Sequence, residues 1–282
     1  MQQDLIEKAF IDACRDELAA PKPGNVHEHA PGHRMTTADF ERSATAASPA
    51  LCRNGERLGR RILDAVTATQ QAVGQNTNLG ILLLAAPLAM AAEQGTVDQE
   101  TVQQIIEAAD VHDSEALFTA IRLAAPGGLG TAPAHDVHAP ATVPPLVAMA
   151  AAADRDGIAR QWVSGFADVF GPGLQAYQAA RVRGFAPVWA TLDTYLCFLA
   201  ALPDSHILRK HGAEPARVLQ RDAARMRARL LAATDPAALM PDFLVWDAAL
   251  KQRGLNPGTS ADLTVATIFT SRLRNSLRFQ GI

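Results

Sequence analysis

The apolar positions of this chain recur three and four residues apart for most of its length. Leu5, Ile6, Ala9, Phe10, Ala13, Cys14 and Leu18 predict an opening helix with Glu17 near its end. Ala20-Pro21-Lys22-Pro23-Gly24 stops it, because a residue before proline is pushed out of the α region. A polar loop, Asn25 to Met35, follows with His27, His29 and His33. Thr36-Thr37-Ala38-Asp39 predicts the cap of a second helix running to about Ala47, and Leu51 to Val73 reads as a third, with Leu58, Ile62, Leu63 and Val66 on its apolar face.

The uncharged run Leu79 to Ala92 departs from this amphipathic pattern. Its 14 residues are fewer than the ~20 of a membrane span, so they predict a helix buried on all sides. Gln75-Asn76-Thr77-Asn78-Leu79-Gly80 leads into it, with Thr77 or Asn78 as cap. A helix start dressed this way is also a candidate anion site, since free N–H groups and the helix dipole favour phosphate.

Further helices are expected over Val97–Ala109, Asp113–Ala124 with Asp113 as cap, Leu146–Ala153, Ile158–Ala180 with a break at Gly171-Pro172-Gly173, Pro187–Leu202, Glu214–Ala233 and Ala237–Arg253. A last helix is expected from the turn Leu255 to Asp262, capped by Thr259 or Ser260. Two long Pro/Gly-rich loops, at 21–35 and 126–145, have the length of functional loops. No stretch alternates with period two, so the chain reads as one all-α domain over 1–282, a bundle of ten or more helices with its site at helix ends.

The totals narrow the function classes. A formal charge of −3 gives no global attraction to nucleic acid or to an anionic membrane. Five arginines between Arg217 and Arg229 fall on a helical pattern and read as a solvated face. The three cysteines are scattered, with no Cys-x-x-Cys pair. Met1 to Phe10 has no apolar signal core, which reads as cytoplasmic. There is no Gly-x-Ser-x-Gly elbow and no Walker A loop.

Chemistry-bearing residues gather at five junctions: 17–33, 75–80, 127–137, 204–212 and 256–262. Lys22 reads as a phosphate cation or a solvated loop lysine. Asp136 reads as a Mg²⁺ ligand or the centre of a local Asx-turn. Asp204, Arg209 and Lys210 read as a charged-ligand site or a surface capping cluster. Asp262, in a first helical turn, stands where any acid is favoured. The spacing of His27, His29 and His33 is no zinc signature.

At these junctions the chain resembles the triphosphoribosyl-dephospho-CoA synthase family. The matching residues are Glu17 with Pro21-Lys22-Pro23-Gly24-Asn25-Val26, Gly32-His33 with Met35 and Asp39-Phe40, Asn76-Thr77 with Gly80, and Asp204 with Arg209 and Gly212. The resemblance spans about residues 10 to 270 and implies an all-α transferase that uses ATP and Mg²⁺. Such an enzyme expels adenine and moves a triphosphoribosyl group to an alcohol, dephospho-CoA in that family.

On that basis Lys22, Asn25, Asn76, Thr77, Asn78, Arg209 and Lys210 are candidates for binding phosphate or nucleotide. Glu17, Asp39 and Asp136 are candidates for Mg²⁺, and Glu17, His33, Asp136 and Asp204 for catalysis. The expected partners are a small-molecule donor and acceptor, with a homo-oligomer left open.

One departure stands out. Where the family carries Asn-Thr-His-Lys-Gly, this chain has Asn76-Thr77-Asn78-Leu79-Gly80. The 126–137, 204–210 and 256–262 segments resemble a branch in archaea and methylotrophic bacteria that make tetrahydromethanopterin. That opens two alternatives: α-ribosyl phosphate transfer to a ribitol-bearing precursor, with ATP or phosphoribosyl pyrophosphate as donor, and a non-catalytic nucleotide-binding protein on the same scaffold.

Overall fold

The computed structural model describes residues 2–279. Among them are fourteen α-helices and no strand; two isolated β-bridges, His27 with Ala30 and Gly32 with Met35, pin the first long loop. The expected all-α class is the one observed. No described helix is long and apolar enough to cross a membrane.

The uncharged run forms α4 (Leu79–Glu93), buried almost throughout. It packs against α1 (Gln2–Ala19) and the long C-terminal α14 (Gly258–Phe279), which also touch each other. Phe10 and Phe269 meet edge to face across α1 and α14, their centroids 5.7 Å apart. Such a pair adds about 0.5–1.5 kcal/mol beyond its buried area. A fourth helix, α10 (Pro187–Ala201), lies against α1 and α14 on the other side.

Two outer layers cover this centre. On one side α2 (Thr37–Leu51), α3 (Leu58–Val73) and α6 (Val111–Ala124) pack together. Buried Arg61 of α3 pairs with Glu93 at the end of α4, and its Nη1 also donates to Leu51 O. On the other side α9 (Leu174–Val182) and α12 (Ala213–Ala232) flank α10. Arg227 of α12 turns inward to Asp193 at 2.8 Å, while Arg217, Arg221, Arg225 and Arg229 stay exposed. The basic run is therefore a solvated face with one structural exception.

Several boundaries differ from expectation. The turn around Gly55 (φ +74) separates α2 from α3, so the third helix starts at Leu58 rather than Leu51. Asp110, not Asp113, caps α6; Asp113 is its partner in a capping box. The expected long helix from Ile158 splits into α8 (Gly157–Ser164) and α9. Gly165 and Phe166 are left-handed between them, and Val169–Gly173 is a π turn before α9. Pro172 supplies no N–H, which favours that widened turn.

The remaining elements are α5 (Gln99–Ala108), α7 (Pro145–Ala150), α11 (Ser205–His211) and α13 (Met240–Gln252).

Candidate active site

A cavity of about 920 Å³ opens where several helix ends meet. It is bounded by the end of α1, the starts of α4, α8 and α14, one face of α11, and the loop after α6. Of the residues proposed from sequence, Glu17, Asn25, His33, Asn76, Thr77, Asn78, Asp136, Arg209 and Lys210 line it. Lys22, Asp39 and Asp204 do not line it, each for a physical reason.

Lys22 is 0 % exposed and faces inward. Its Nζ lies 2.5 Å from Glu17 Oε1, donates to Val26 O at 2.7 Å, and reaches Asn25 Oδ1 at 3.3 Å. Burial pushes the Glu17 carboxyl up and the Lys22 amine down, and their attraction opposes both shifts. The solvated-lysine reading is thus corrected, and the ammonium has no free donor directed at a ligand in the cavity.

The Pro-Lys-Pro-Gly segment is a buried clamp. Tyr195 donates to Pro23 O at 2.8 Å, and Gly24 N donates to Asp247 Oδ1 at 2.8 Å. Gly24 has φ +85, and a Cβ there would lie 2.9 Å from Pro257 and 3.0 Å from Leu255 O. Asn25 Nδ2 donates to Asn256 Oδ1, and His33 Nε2 donates to Gly24 O, both at 2.8 Å. These bonds bring the first long loop and the turn before α14 to the same cavity wall.

Asp39 is a capping residue. Its Oδ2 accepts from the backbone N–H and hydroxyl of Thr36, and Arg42 takes the other oxygen at 2.6 Å. The Thr36 donors and Arg42 hold its carboxyl below the usual range.

Asp204 is 3 % exposed and fully engaged. Oδ1 accepts the N–H groups of His206 and Ile207, capping α11; Oδ2 accepts the N–H and hydroxyl of Ser260 at 2.8 and 2.9 Å. Burial lifts its carboxyl against these four bonds. It ties α11 to the first turn of α14 and so aims α11 at the cavity. Ser260 thus lies inside the helix that it was expected to cap, and Thr259 bonds the hydroxyl of Ser205 instead.

On α11, Arg209 donates to Gly127 O at 3.1 Å and pairs with Asp156 at 3.2 Å. Lys210 makes no hydrogen bond or ion pair among the described residues and lines the cavity. Glycines at 127 and 128 let the loop lie on these stems: a Cβ on either would come within 3.1 Å of Lys210 or Arg209 carbons. His206 is half-buried beside them. Burial, then Lys210 and Arg209, lowers its imidazole to about 3, so it is neutral at physiological pH.

Asp136 on the cavity's loop side accepts from Ala132 N at 2.7 Å and His138 N at 2.8 Å. These backbone donors lower its carboxyl and make it the centre of an Asx-type turn.

At the start of α4, Asn76 Oδ1 accepts from Leu79 N at 3.1 Å, and Thr77 shares a 2.6 Å bond with Ser43. The expected side-chain cap by Asn78 or Thr77 is absent; Asn76 does that work. Asn78 is 6 % exposed, and its Nδ2 is buried without a partner.

Asp262, which the sequence offered only as a first-turn acid, lies on the cavity wall against Gly80. A Cβ at Gly80 would sit 2.0 Å from Asp262 Oδ2. Asp156 and His206 are further cavity residues that local sequence did not single out. As a helix cap and a junction histidine, they carry no signal that separates lining a cavity from lying on the surface.

Fold and cavity together define an all-α protein whose polar site is assembled from helix ends. The chain belongs to the ATP:dephospho-CoA triphosphoribosyl transferase family, whose sequence model matches residues 3–280. It is 35 % identical over 115 residues to a protein of Azotobacter vinelandii named probable 2-(5''-triphosphoribosyl)-3'-dephosphocoenzyme-A synthase. That match takes in 40 % of this chain and 38 % of the relative. A crystal structure from Archaeoglobus fulgidus, named as a triphosphoribosyl-dephospho-CoA synthase, shares the fold. Its TM-score is 0.61 at 23 % identity, over 82 % of this chain and 96 % of that one.

Proposed function

We propose that this protein transfers a triphosphoribosyl group from ATP to an alcohol and releases adenine. The observation that carries this reading is the layout of one cavity, which gathers the carboxyl groups of Glu17 and Asp262 with the cations Arg209 and Lys210 of α11. Displacement at an anomeric carbon builds positive charge there, which a nearby carboxylate stabilises. Glu17, paired with Lys22 at 2.5 Å, is the carboxyl group assigned to that charge. Arg209 and Lys210 face the triphosphate, where charge-assisted bonds are strongest. Asn76, Thr77 and Asn78 offer polar contacts at the start of α4, and His33 and Asn25 line the same cavity.

Mg²⁺ fits this site as part of the MgATP substrate. Among the described residues no three His, Cys, Asp or Glu side chains form a metal cage. Mg²⁺ needs only one or two carboxylates when phosphate oxygens complete its shell. Asp136, on the exposed loop, is the candidate carboxylate; bound there, the ion would neutralise part of the triphosphate charge.

A second reading concerns the acceptor. Leu79 lines the cavity where the family carries lysine, and Lys22 is locked to Glu17. This leaves few cations for a second polyphosphate, which supports an acceptor less charged than dephospho-CoA, such as a ribitol-bearing precursor of tetrahydromethanopterin. The test is product mass and adenine release with each acceptor, using ATP and then phosphoribosyl pyrophosphate as donor, each with Mg²⁺. Adenine release with dephospho-CoA alone would refute the acceptor reading. Binding of ATP without turnover on any acceptor would refute the transferase reading in favour of a nucleotide-binding protein.

A further inference from the structure

Two carboxyl groups share the cavity wall in opposite surroundings. Glu17 faces the Lys22 ammonium at 2.5 Å. Asp262 makes no hydrogen bond or ion pair among the described residues; it stands against Gly80 one position past the first turn of α14, not in that turn as the sequence suggested. Its charged surroundings are unfavourable to an anion. Glu17 from α1, Asp204 before α11 and Asp156 before α8 repel it; Arg209 of α11 attracts it less strongly and is already paired with Asp156. Cys14 of α1 is a further titratable neighbour, and its thiol is pushed up by burial, then by Glu17 and Asp262, so it adds no charge.

When two carboxyls share a low-dielectric site, the one with the cation ionises and the other keeps the proton. Burial, then the neighbouring Glu17, holds the Asp262 carboxyl well above the usual range. On the same cavity, Asn78 Nδ2 is a buried donor with no protein acceptor.

We propose that Asp262 is the general acid that protonates the departing purine. This rests on the transferase reading above. The C1′–N bond to adenine breaks and a C1′–O bond to the acceptor forms. The Asp262 proton passes to a ring nitrogen, so adenine leaves neutral. The acceptor hydroxyl gives up its own proton to solvent water, and Asp262 is reprotonated from solvent before the next turnover. Glu17 and Asp262 thereby divide the work as two carboxyls do wherever environment separates their proton affinities.

The experiment compares Asp262→Asn with wild type on two donors, using the better acceptor. One donor is ATP. The other is a ribofuranoside 5′-triphosphate bearing 4-nitrophenol, which leaves as a stable anion and needs no acid. Asp262→Asn should slow ATP turnover by about a hundredfold or more, the usual effect of a general acid, yet stay within about threefold of wild type on the nitrophenyl donor. Equal loss on both donors, or no loss on either, would overturn the proposal.

A second measurement needs no turnover. The infrared difference between wild type and Asp262→Asn at neutral pH should show a protonated carboxyl C=O band belonging to wild type. Absence of that band would also overturn the assignment. Failure of wild type to release adenine defeats the transferase reading alone, and the infrared result still decides whether Asp262 holds the proton.

Discussion

Lys22 Nζ lies 2.5 Å from Glu17 Oε1, and both side chains are enclosed by the end of α1 and the loop that follows it. Removing one partner of such a pair leaves an uncompensated buried charge. Lys22→Ala should destabilise the fold by about 3–5 kcal/mol. Lys22→Met with Glu17→Gln should recover much of that loss, because both charges then go together. Urea denaturation of the three proteins checks this; a Lys22→Ala protein as stable as wild type would show that the pair contributes little.

Gly80 faces Asp262 with no room for a methyl group. Alanine is favoured over glycine inside a helix by ~1 kcal/mol, so local propensity alone predicts a more stable Gly80→Ala. The contact predicts the reverse: Asp262 is driven from its place and turnover falls at least tenfold, about 1.4 kcal/mol in the barrier. Steady-state rates and melting temperature, measured together, decide between propensity and contact.

His206 carries a pH signature. Its imidazole is lowered to about 3 in the fold, against the ordinary 6.5 in the unfolded chain. Above pH ~6.5 both states are neutral and the group contributes no slope. As pH falls from 6.5 towards 3 the unfolded chain takes the proton first, so stability drops, by on the order of 1 kcal/mol per pH unit. Below about 3 the slope vanishes. His206→Gln should flatten the curve across this window, as followed by denaturation at a series of pH values.

Lys210 has no partner to lose among the described residues, so Lys210→Ala should fold normally. It should weaken MgATP binding by about 1.5–3 kcal/mol, the range of a charge-assisted bond. The readout is the rise in melting temperature on adding MgATP, which in wild type reports about 2.7 kcal/mol of stabilisation at a hundredfold excess over Kd. An undiminished rise in the variant would take Lys210 out of the phosphate site.

The all-α class, the buried α4 and the polar junctions were legible along the chain, because each depends on neighbours a few residues away. An uncharged run is driven into the core, the Pro21-Lys22-Pro23 segment pushes the chain out of the α region after α1, and apolar residues at helical spacing form a face. Local pattern also marked most of the residues that line the cavity, since the junctions that break helices are where polar groups collect.

Which way each junction residue points was decided only by the packing of distant segments. Lys22 looks like a loop lysine until the clamp on Asp247, Tyr195 and Leu255 turns it inward on Glu17. Asp204 and Asp262, 58 positions apart, are both first-turn or capping acids by sequence. Asp204 meets the N–H and hydroxyl of Ser260 and becomes a strut, whereas Asp262 meets a glycine and stays without a partner on the cavity wall. Local sequence sets the helix that carries a side chain; the partner it finds, and hence its charge and its task, depends on which other helix ends come to lie beside it.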